Sequence, residues 1–153
     1  MPENIDPEKV EKTLKNLIET LRDGHEGFTE LGHRLTDPQA KRFFLEETQI
    51  RSNFAGELEN ELHHLGVKDV KVGTSASSKA HRVWAELKNK MGGGDHALLD
   101  TAEQGEDTAK KAYAEALEER LSANVRELVA RQQAHILQSH DRVKALRDSS
   151  KAA

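Results

Sequence analysis

Two imidazoles and two carboxylates stand where four long helical patterns of this chain lose their apolar character. They are His25, Glu47, Glu106 and His140. A carboxylate on the packing face of a helix is costly unless it is hydrogen-bonded, paired with a cation or bound to a metal. Imidazoles and carboxylates together can ligate iron, manganese or zinc. These residue types therefore predict either a metal site or a buried layer of polar side chains.

Glu106 is the clearest of these positions. The stretch from Leu98 to Leu117 carries apolar residues at steps of three and four, namely Leu99, Ala102, Ala109, Tyr113 and Ala116. This spacing forms one face of an α-helix. Glu106 falls on that face, and Glu103 lies beside it. We therefore expect Glu106 to point at a partner helix.

The elements that position these residues are long helices with clear start signals. Asp6-Pro7 and Asp37-Pro38 each combine an acceptor for the first free amides with a proline, whose missing N–H is not needed there. Asp95 follows three glycines and offers the same kind of cap to a later helix. The patterns predict long helices at about 7–35, 37–65, 95–121 and 123–147, with a shorter helix at about 78–91.

Composition sets the class of protein. The chain has 153 residues, which is the size of one domain, and we expect a single domain over 1–153. Cysteine is absent, which excludes disulfides, thiolate nucleophiles and Cys-ligated metals. The net charge of -4 argues against nucleic-acid binding. With no signal segment or long apolar run, we expect a cytoplasmic protein that does not enter a membrane.

The lengths of the connections predict the topology. Tight turns follow the first and the third long helix, so each forms an antiparallel hairpin with its successor. The linker between residues 65 and 95 has almost thirty residues, enough to run back along a bundle. The sequence thus predicts an all-α four-helix bundle, with two antiparallel hairpins joined by a long crossover that contains the short helix. This is the connectivity of ferritin-like bundles.

In such a bundle the four polar breaks lie at one height. His25 and Glu47 are each about eleven residues from the first turn, while Glu106 and His140 are sixteen and eighteen residues from the last turn. If the two turns lie at opposite ends of the bundle, these residues form a layer with one member from each helix. Three further polar side chains lie about one turn away: Glu103, Arg51 and Gln132.

Arg51 separates the two interpretations of this layer. A guanidinium beside the carboxylates supplies the positive charge that a metal would provide, which favours a structural polar layer that includes Arg51 and Gln132. The alternative is a di-metal or single transition-metal site of iron, manganese or zinc. Its ligands would be His25, Glu47, Glu106 and His140, with Glu26, Glu103 and His135 nearby.

Several short motifs carry a family resemblance. They are Asp23-Gly-His-Glu-Gly-Phe28, Ala102-Glu-Gln-Gly-Glu-Asp107 with Tyr113, His81-Arg-Val-Trp84 before the triple glycine, Arg51 with Phe54 and Glu57-Leu58, and Ser139-His-Asp-Arg-Val-Lys-Ala-Leu-Arg-Asp148. In these motifs the chain resembles, over nearly its whole length, a bacterial family of ferritin-like four-helix-bundle proteins. The resemblance implies a ferritin-like fold and assigns no activity.

The di-iron pattern of ferritin-like proteins is incomplete in this chain. That pattern has one Glu on helices 1 and 3 and Glu-x-x-His on helices 2 and 4. In that pattern Glu26 would serve as the ligand on helix 1, and Glu103 or Glu106 as the ligand on helix 3. Helix 2 carries Glu47-x-x-Ile50 and helix 4 carries Gln132-x-x-His135, so each pair lacks one ligand.

We therefore expect a non-enzymatic ferritin-like bundle of unassigned role, associated with stress, that forms homo-oligomers and needs no cofactor. The alternative is a divergent metal-binding bundle with oxidase or metal-storage activity. We expect neither a nucleic-acid partner nor membrane association, and the sequence does not identify a protein partner.

Overall fold

The structure is a computed structural model, and it describes residues 5–70, 84–85 and 94–150. Most of these residues lie in four long α-helices, and none of them forms a strand. The helices are α1 (Pro7–Arg34), α2 (Pro38–His64), α3 (Asp95–Glu118) and α4 (Ala123–Ser150). The ends of the four predicted long helices differ from the observed ends by at most three residues. The short helix predicted at about 78–91 lies outside the described residues, except for Trp84 and Ala85, which are helical.

The first two helices begin at capped prolines. The Asp6 carboxylate accepts a hydrogen bond from the backbone N–H of Glu8 at 3.0 Å, and Asp37 accepts one from Ala40 at 2.9 Å. Pro7 and Pro38 follow these caps as the first helical residues. The start signals in the sequence are therefore confirmed for α1 and α2.

Asp95 does not cap its own helix, contrary to the prediction. It is the first residue of α3, and Gly94 precedes it without a capping side chain. The Asp95 carboxylate instead accepts hydrogen bonds from the backbone N–H groups of Thr36 and Asp37, both at 2.9 Å, and from the Thr36 hydroxyl at 3.0 Å. The start of α3 is thus bonded to the turn between α1 and α2.

The helices pack in a closed ring of contacts. α1 packs against α2 and α3, and α4 packs against α3 and α2. Because α3 begins beside the turn from which α2 also begins, α2 and α3 start at the same end of the molecule. No helix in the described part of the chain is both long and apolar enough to cross a membrane.

Two apolar clusters fill the interior, and charged side chains lie between them. On α2 one cluster begins at Ala55 and the other ends at Phe44, so Glu47 and Arg51 fall in the gap. On α3 the clusters are separated by the segment between Ala102 and Ala109, which contains Glu106. The apolar stripes therefore break at a common level inside the fold.

Candidate functional site

Arg51 is the centre of the polar region and is only 2% exposed. Its Nε donates a hydrogen bond to Oε2 of Glu47, one turn earlier on α2, at 3.2 Å. Its Nη2 donates to Oε1 of Glu106 on α3 at 2.6 Å and to Oγ of Ser139 on α4 at 3.1 Å. One guanidinium thus connects three helices.

The fourth helix contacts the same guanidinium through an aromatic ring. The Cζ atom of Arg51 lies 4.8 Å from the centre of the Phe28 ring on α1. A desolvated guanidinium over an aromatic ring gains about 2 kcal/mol. Burial by itself lowers the pKa of Arg51, but the charges of Glu106 and Glu47 outweigh that effect and the pKa is raised. Arg51 is therefore a permanent buried cation.

Glu47 is held from two sides. Its Oε1 atom is 2.6 Å from Nε2 of His135 on α4, and its Oε2 atom accepts from Arg51. Burial by itself raises the pKa of Glu47, but the hydrogen bond with His135 and the charge of Arg51 outweigh it, so the pKa lies below its usual value. Glu47 is therefore ionised. We refer to Glu47, Arg51, Glu106 and His135 as the central ion cluster.

Glu106 is the least accessible member of this cluster, with an exposed fraction of 0%. Its Oε1 atom accepts from Arg51, whereas Oε2 has no hydrogen-bond partner. Oε2 is the only buried side-chain nitrogen or oxygen without a partner in residues 5–70, 84–85 and 94–150. An unsatisfied buried acceptor costs about 1–3 kcal/mol. Glu106 Oε2 is therefore the position in the cluster with spare capacity for a ligand.

A second polar network joins α2, α3 and α4. The Tyr113 hydroxyl donates to Oε1 of Gln132 at 2.7 Å, and Gln132 Nε2 donates to Glu57 Oε1 at 3.1 Å and to the Phe54 carbonyl at 3.2 Å. Burial raises the pKa of the Tyr113 phenol above its usual range, so the phenol keeps its proton. The side chain of Gln132 is 0% exposed, and both its oxygen and its nitrogen have hydrogen-bond partners.

Two of the predicted ligands, His25 and Glu26, make no contact with the central ion cluster among the bonds described. His25 Nδ1 lies 3.1 Å from the carbonyl oxygen of Thr48, and Glu26 is exposed. Neither residue is therefore bonded to the Glu47 or Glu106 carboxylate in these contacts.

His140 and Glu103 are bonded at a separate place between α3 and α4. His140 Nε2 is 2.8 Å from Oδ1 of Asp107 and 3.9 Å from Oε1 of Glu103, while Glu103 also pairs with Arg147. The structure thus brings Glu47, Glu106 and His135 together around Arg51, whereas His25 and His140 are bonded to other groups.

The arrangement of the carboxylates fits a guanidinium. Glu47 Oε2 and Glu106 Oε1 face the same space, and Arg51 donates to both. In the part of the chain that the structure describes, no group of three or more His, Asp or Glu side chains is placed so that it could hold a metal ion. A cation that entered this space would have to displace Arg51.

The sequence did not predict two contacts of Arg51, those with Ser139 and Phe28. Ser139 follows His135 by four residues and Gln132 by seven, so all three share one face of α4. That spacing could have predicted that Ser139 lies on the same side of α4 as Gln132 and His135. The Phe28 contact depends on the rotation of α1 about its axis, for which the sequence offers no signal.

Comparison with known proteins identifies a family. The model of a domain of unknown function (DUF2383) matches residues 9–119. The match covers α2, α3 and nearly all of α1, and it includes Glu47, Arg51 and Glu106, whereas His135 on α4 lies beyond it. No curated protein matches the chain. Because the match spans most of the chain, the protein belongs to the DUF2383 family.

Proposed function

We propose that this protein is a ferritin-like four-helix bundle in which Arg51 occupies the place of a metal centre, and that it is a non-enzymatic protein without a resident metal. The observation that carries the proposal is the bonding of one buried guanidinium to both Glu47 and Glu106. A guanidinium is always charged and presents its donors in a fixed plane, which suits two carboxylates on neighbouring helices.

The position of α3 supports the ferritin-like topology. Asp95 bonds the start of α3 to the turn between α1 and α2, while α2 ends at His64, one helix length away. The intervening chain therefore has to connect opposite ends of the bundle. The other two connections span only residues 35–37 and 119–122. Two tight hairpins joined by one long connection make up the ferritin-like arrangement.

The charges in the cluster support a structural role. Two carboxylates in a dry interior repel each other and need a cation between them. Arg51 supplies that cation, and the hydrogen bond with His135 stabilises the second oxygen of Glu47. If a metal took this space, the guanidinium would have to find other acceptors in the interior, and an unpaired buried charge is strongly destabilising.

Elemental analysis tests the proposal. Protein purified without a His tag is assayed for iron, manganese and zinc, beside the variants Glu106→Ala and Asp107→Ala, of which the second removes an exposed carboxylate next to the first. We expect substoichiometric metal in all three proteins. A stoichiometric metal that is retained by Asp107→Ala and lost from Glu106→Ala would contradict the proposal.

A second candidate function is metal binding with oxidase or storage activity, and the unpartnered Oε2 atom of Glu106 favours it. Its ligands would be Glu106, Glu47 and His135 after Arg51 has turned away. Titration with Mn²⁺ separates the two candidates. Saturable binding by the wild type, as tight as that of Arg51→Met, would support the metal site. Binding by Arg51→Met alone would support Arg51 as the substitute for a metal.

Self-association belongs to the same proposal. Leu45 on α2 and Leu137 on α4 are 39% and 40% exposed, and they offer apolar contacts to a second copy. We expect sedimentation velocity to show a species heavier than the 17.1 kDa chain, with the Leu45→Ser, Leu137→Ser double variant shifted toward the monomer. A wild-type protein that stays monomeric at every concentration would remove this part of the proposal.

A further inference from the structure

The single tryptophan of the chain packs between two helices that do not contain it. Trp84 belongs to the connection between α2 and α3, yet its side chain reaches the contact between α1 and α3 and is only 9% exposed. Its ring meets Phe28 of α1 edge to face, with ring centres 5.6 Å apart. The indole is therefore part of the interior of the fold.

Glycines on both helices make room for this ring. A Cβ atom built at Gly27 on α1 would lie 2.3 Å from Cε3 of Trp84, and one built at Gly105 on α3 would lie 2.3 Å from Cζ2. Both distances are well inside the closest approach that real Cβ atoms make. Glycine weakens a helix, so its use at two facing positions is explained by the space that the ring requires. The ring thus occupies a gap that is bordered at Gly27 and Gly105 by backbone without side chains.

The gap lies next to the central ion cluster. On α3, Gly105 at the wall of the gap directly precedes Glu106, which carries the unpartnered Oε2 atom, so the backbone of Glu106 adjoins that wall. The Phe28 ring contacts both groups. Its centre lies 5.6 Å from the centre of the Trp84 ring and 4.8 Å from Cζ of Arg51. One turn before Gly27, a Cβ atom at Gly24 would lie 3.9 Å from Nη1 of Arg51. The indole ring and the guanidinium are therefore neighbours along the same glycine-lined part of α1.

We propose that Trp84 seals the central ion cluster: its ring fills the gap between α1 and α3 and keeps water and small solutes away from Glu106. A dry surrounding strengthens the pairing of Arg51 with Glu106, because less solvent screens the two charges. The inference rests on the buried cluster described under the proposed function, and it holds whether or not a metal binds there.

Glycine substitutions test the position of the ring. Gly27→Ala and Gly105→Ala each force the ring out of the gap, whereas Gly56→Ala on α2 is the matched control because nothing lies within 4 Å of its Cβ position. Since Trp84 is the only tryptophan, its fluorescence reports this ring alone. We expect a red-shifted emission and a several-fold rise in acrylamide quenching for the first two variants, and wild-type values for Gly56→Ala. Unchanged emission and quenching in both test variants would overturn the proposal.

Carboxylate labelling tests the seal itself. Wild type, Trp84→Ala and Trp84→Phe are treated with a water-soluble carbodiimide and glycinamide, and modified residues are located by peptide mass spectrometry. We expect Glu106 to be protected in the wild type and labelled several-fold more in Trp84→Ala, with Trp84→Phe between them. Asp107, whose side chain is 60% exposed, is the internal standard.

Glu47 is the second internal reference for this experiment, because it belongs to the cluster but is bonded to Arg51 on α2 and His135 on α4, whereas the gap lies between α1 and α3. Equal gains at Glu47 and Glu106 would overturn the proposal, since they would mean that the ring supports the whole fold. If Glu106 stays as protected from labelling in Trp84→Ala as in the wild type, the proposal is overturned as well. If Trp84→Ala does not fold, Gly105→Ala takes its place in this comparison. Labelling and metal content are independent measurements, so a failure of the seal is distinguishable from a failure of the proposed function.

Discussion

At the scale of single residues, Arg51 determines what the interior can hold. Its Nε and Nη2 groups are bonded to two carboxylates and a hydroxyl, and its guanidinium packs on an aromatic ring. Buried ion pairs add little net stability compared with apolar side chains of the same size, but removing one partner leaves an uncompensated charge. The cluster is therefore sensitive to the loss of its cation.

Replacing Arg51 by Met should destabilise the fold by about 3–5 kcal/mol, because Glu47 and Glu106 would then be buried without their cation. Urea unfolding followed by circular dichroism measures this change. Arg131→Met is the matched control, because Arg131 pairs with Glu57 at the surface with 60% of its side chain exposed. An exposed pair of this kind contributes less than about 1 kcal/mol. Equal losses in the two variants would contradict the role of Arg51.

The lowered pKa of Glu47 makes the stability of the fold dependent on pH. A carboxyl whose folded pKa lies below its unfolded value of 4.5 contributes stability above that pH, and the contribution disappears as the pH falls through the folded pKa. We expect the free energy of unfolding to decrease as the pH is lowered from about 4.5. Glu47→Gln should make the free energy of unfolding less dependent on pH in this range. A Glu47→Gln protein with the wild-type pH dependence would show that Glu47 is not stabilised as described.

The identity of the cluster was only partly predictable at this scale. Spacing along each helix fixes the height of a residue, which is how Glu47, Arg51 and Glu106 could be assigned to one level. It does not fix the rotation of each helix about its axis. As a result His135, expected only nearby, contacts Glu47, while His25 and His140 find partners at Thr48 and Asp107.

At the scale of helices and turns, most of the fold is encoded locally. An aspartate followed by proline begins both α1 and α2, and the observed caps confirm this. The start of α3 was predicted at the correct residue for a different reason, since Asp95 bonds to the α1–α2 turn. A carboxylate at a helix start serves equally well as a cap or as a tie to another element, and only the packed structure distinguishes the two.

Removing the Asp95 carboxylate should loosen the attachment of α3 to the first hairpin. Asp95→Ala loses three hydrogen bonds to Thr36 and Asp37, and we expect a loss of about 2 kcal/mol. Hydrogen exchange at the amides of Thr36 and Asp37 should become faster, with little change in the middle of α2. Asp95→Asn, which keeps an acceptor oxygen, should lie between the wild type and Asp95→Ala. Unchanged exchange at both amides would contradict the tie.

Two glycines should respond in opposite directions to alanine. Gly56 lies within α2 with nothing within 4 Å of its Cβ position, so Gly56→Ala should stabilise the fold by about 0.5–1 kcal/mol. Gly66, after the end of α2, has φ of 92°, where a side chain is strained, so Gly66→Ala should destabilise it. Thermal unfolding of the two variants checks both signs. Stabilisation by both substitutions would contradict the conformation found at Gly66.

At the scale of the whole molecule, a charged layer separates two apolar clusters. The clusters supply most of the hydrophobic stabilisation, while the charged layer links α2 to α3 through Arg51 and Glu106 and α2 to α4 through Glu47 and His135. The chain has 33% charged and 35% apolar residues. This composition predicted helices that each have one solvent-exposed face. It did not predict that Trp84, from outside the four long helices, fills the space between α1 and α3.

We propose that Arg51 stands where a metal would bind. The decisive experiment is a crystal structure of untagged protein grown with excess Mn²⁺, with anomalous data collected for manganese. We predict density for the guanidinium between Glu47 and Glu106 and no anomalous peak within bonding distance of either carboxylate. An anomalous peak bonded to Glu106, with the Arg51 side chain turned away, would contradict the claim.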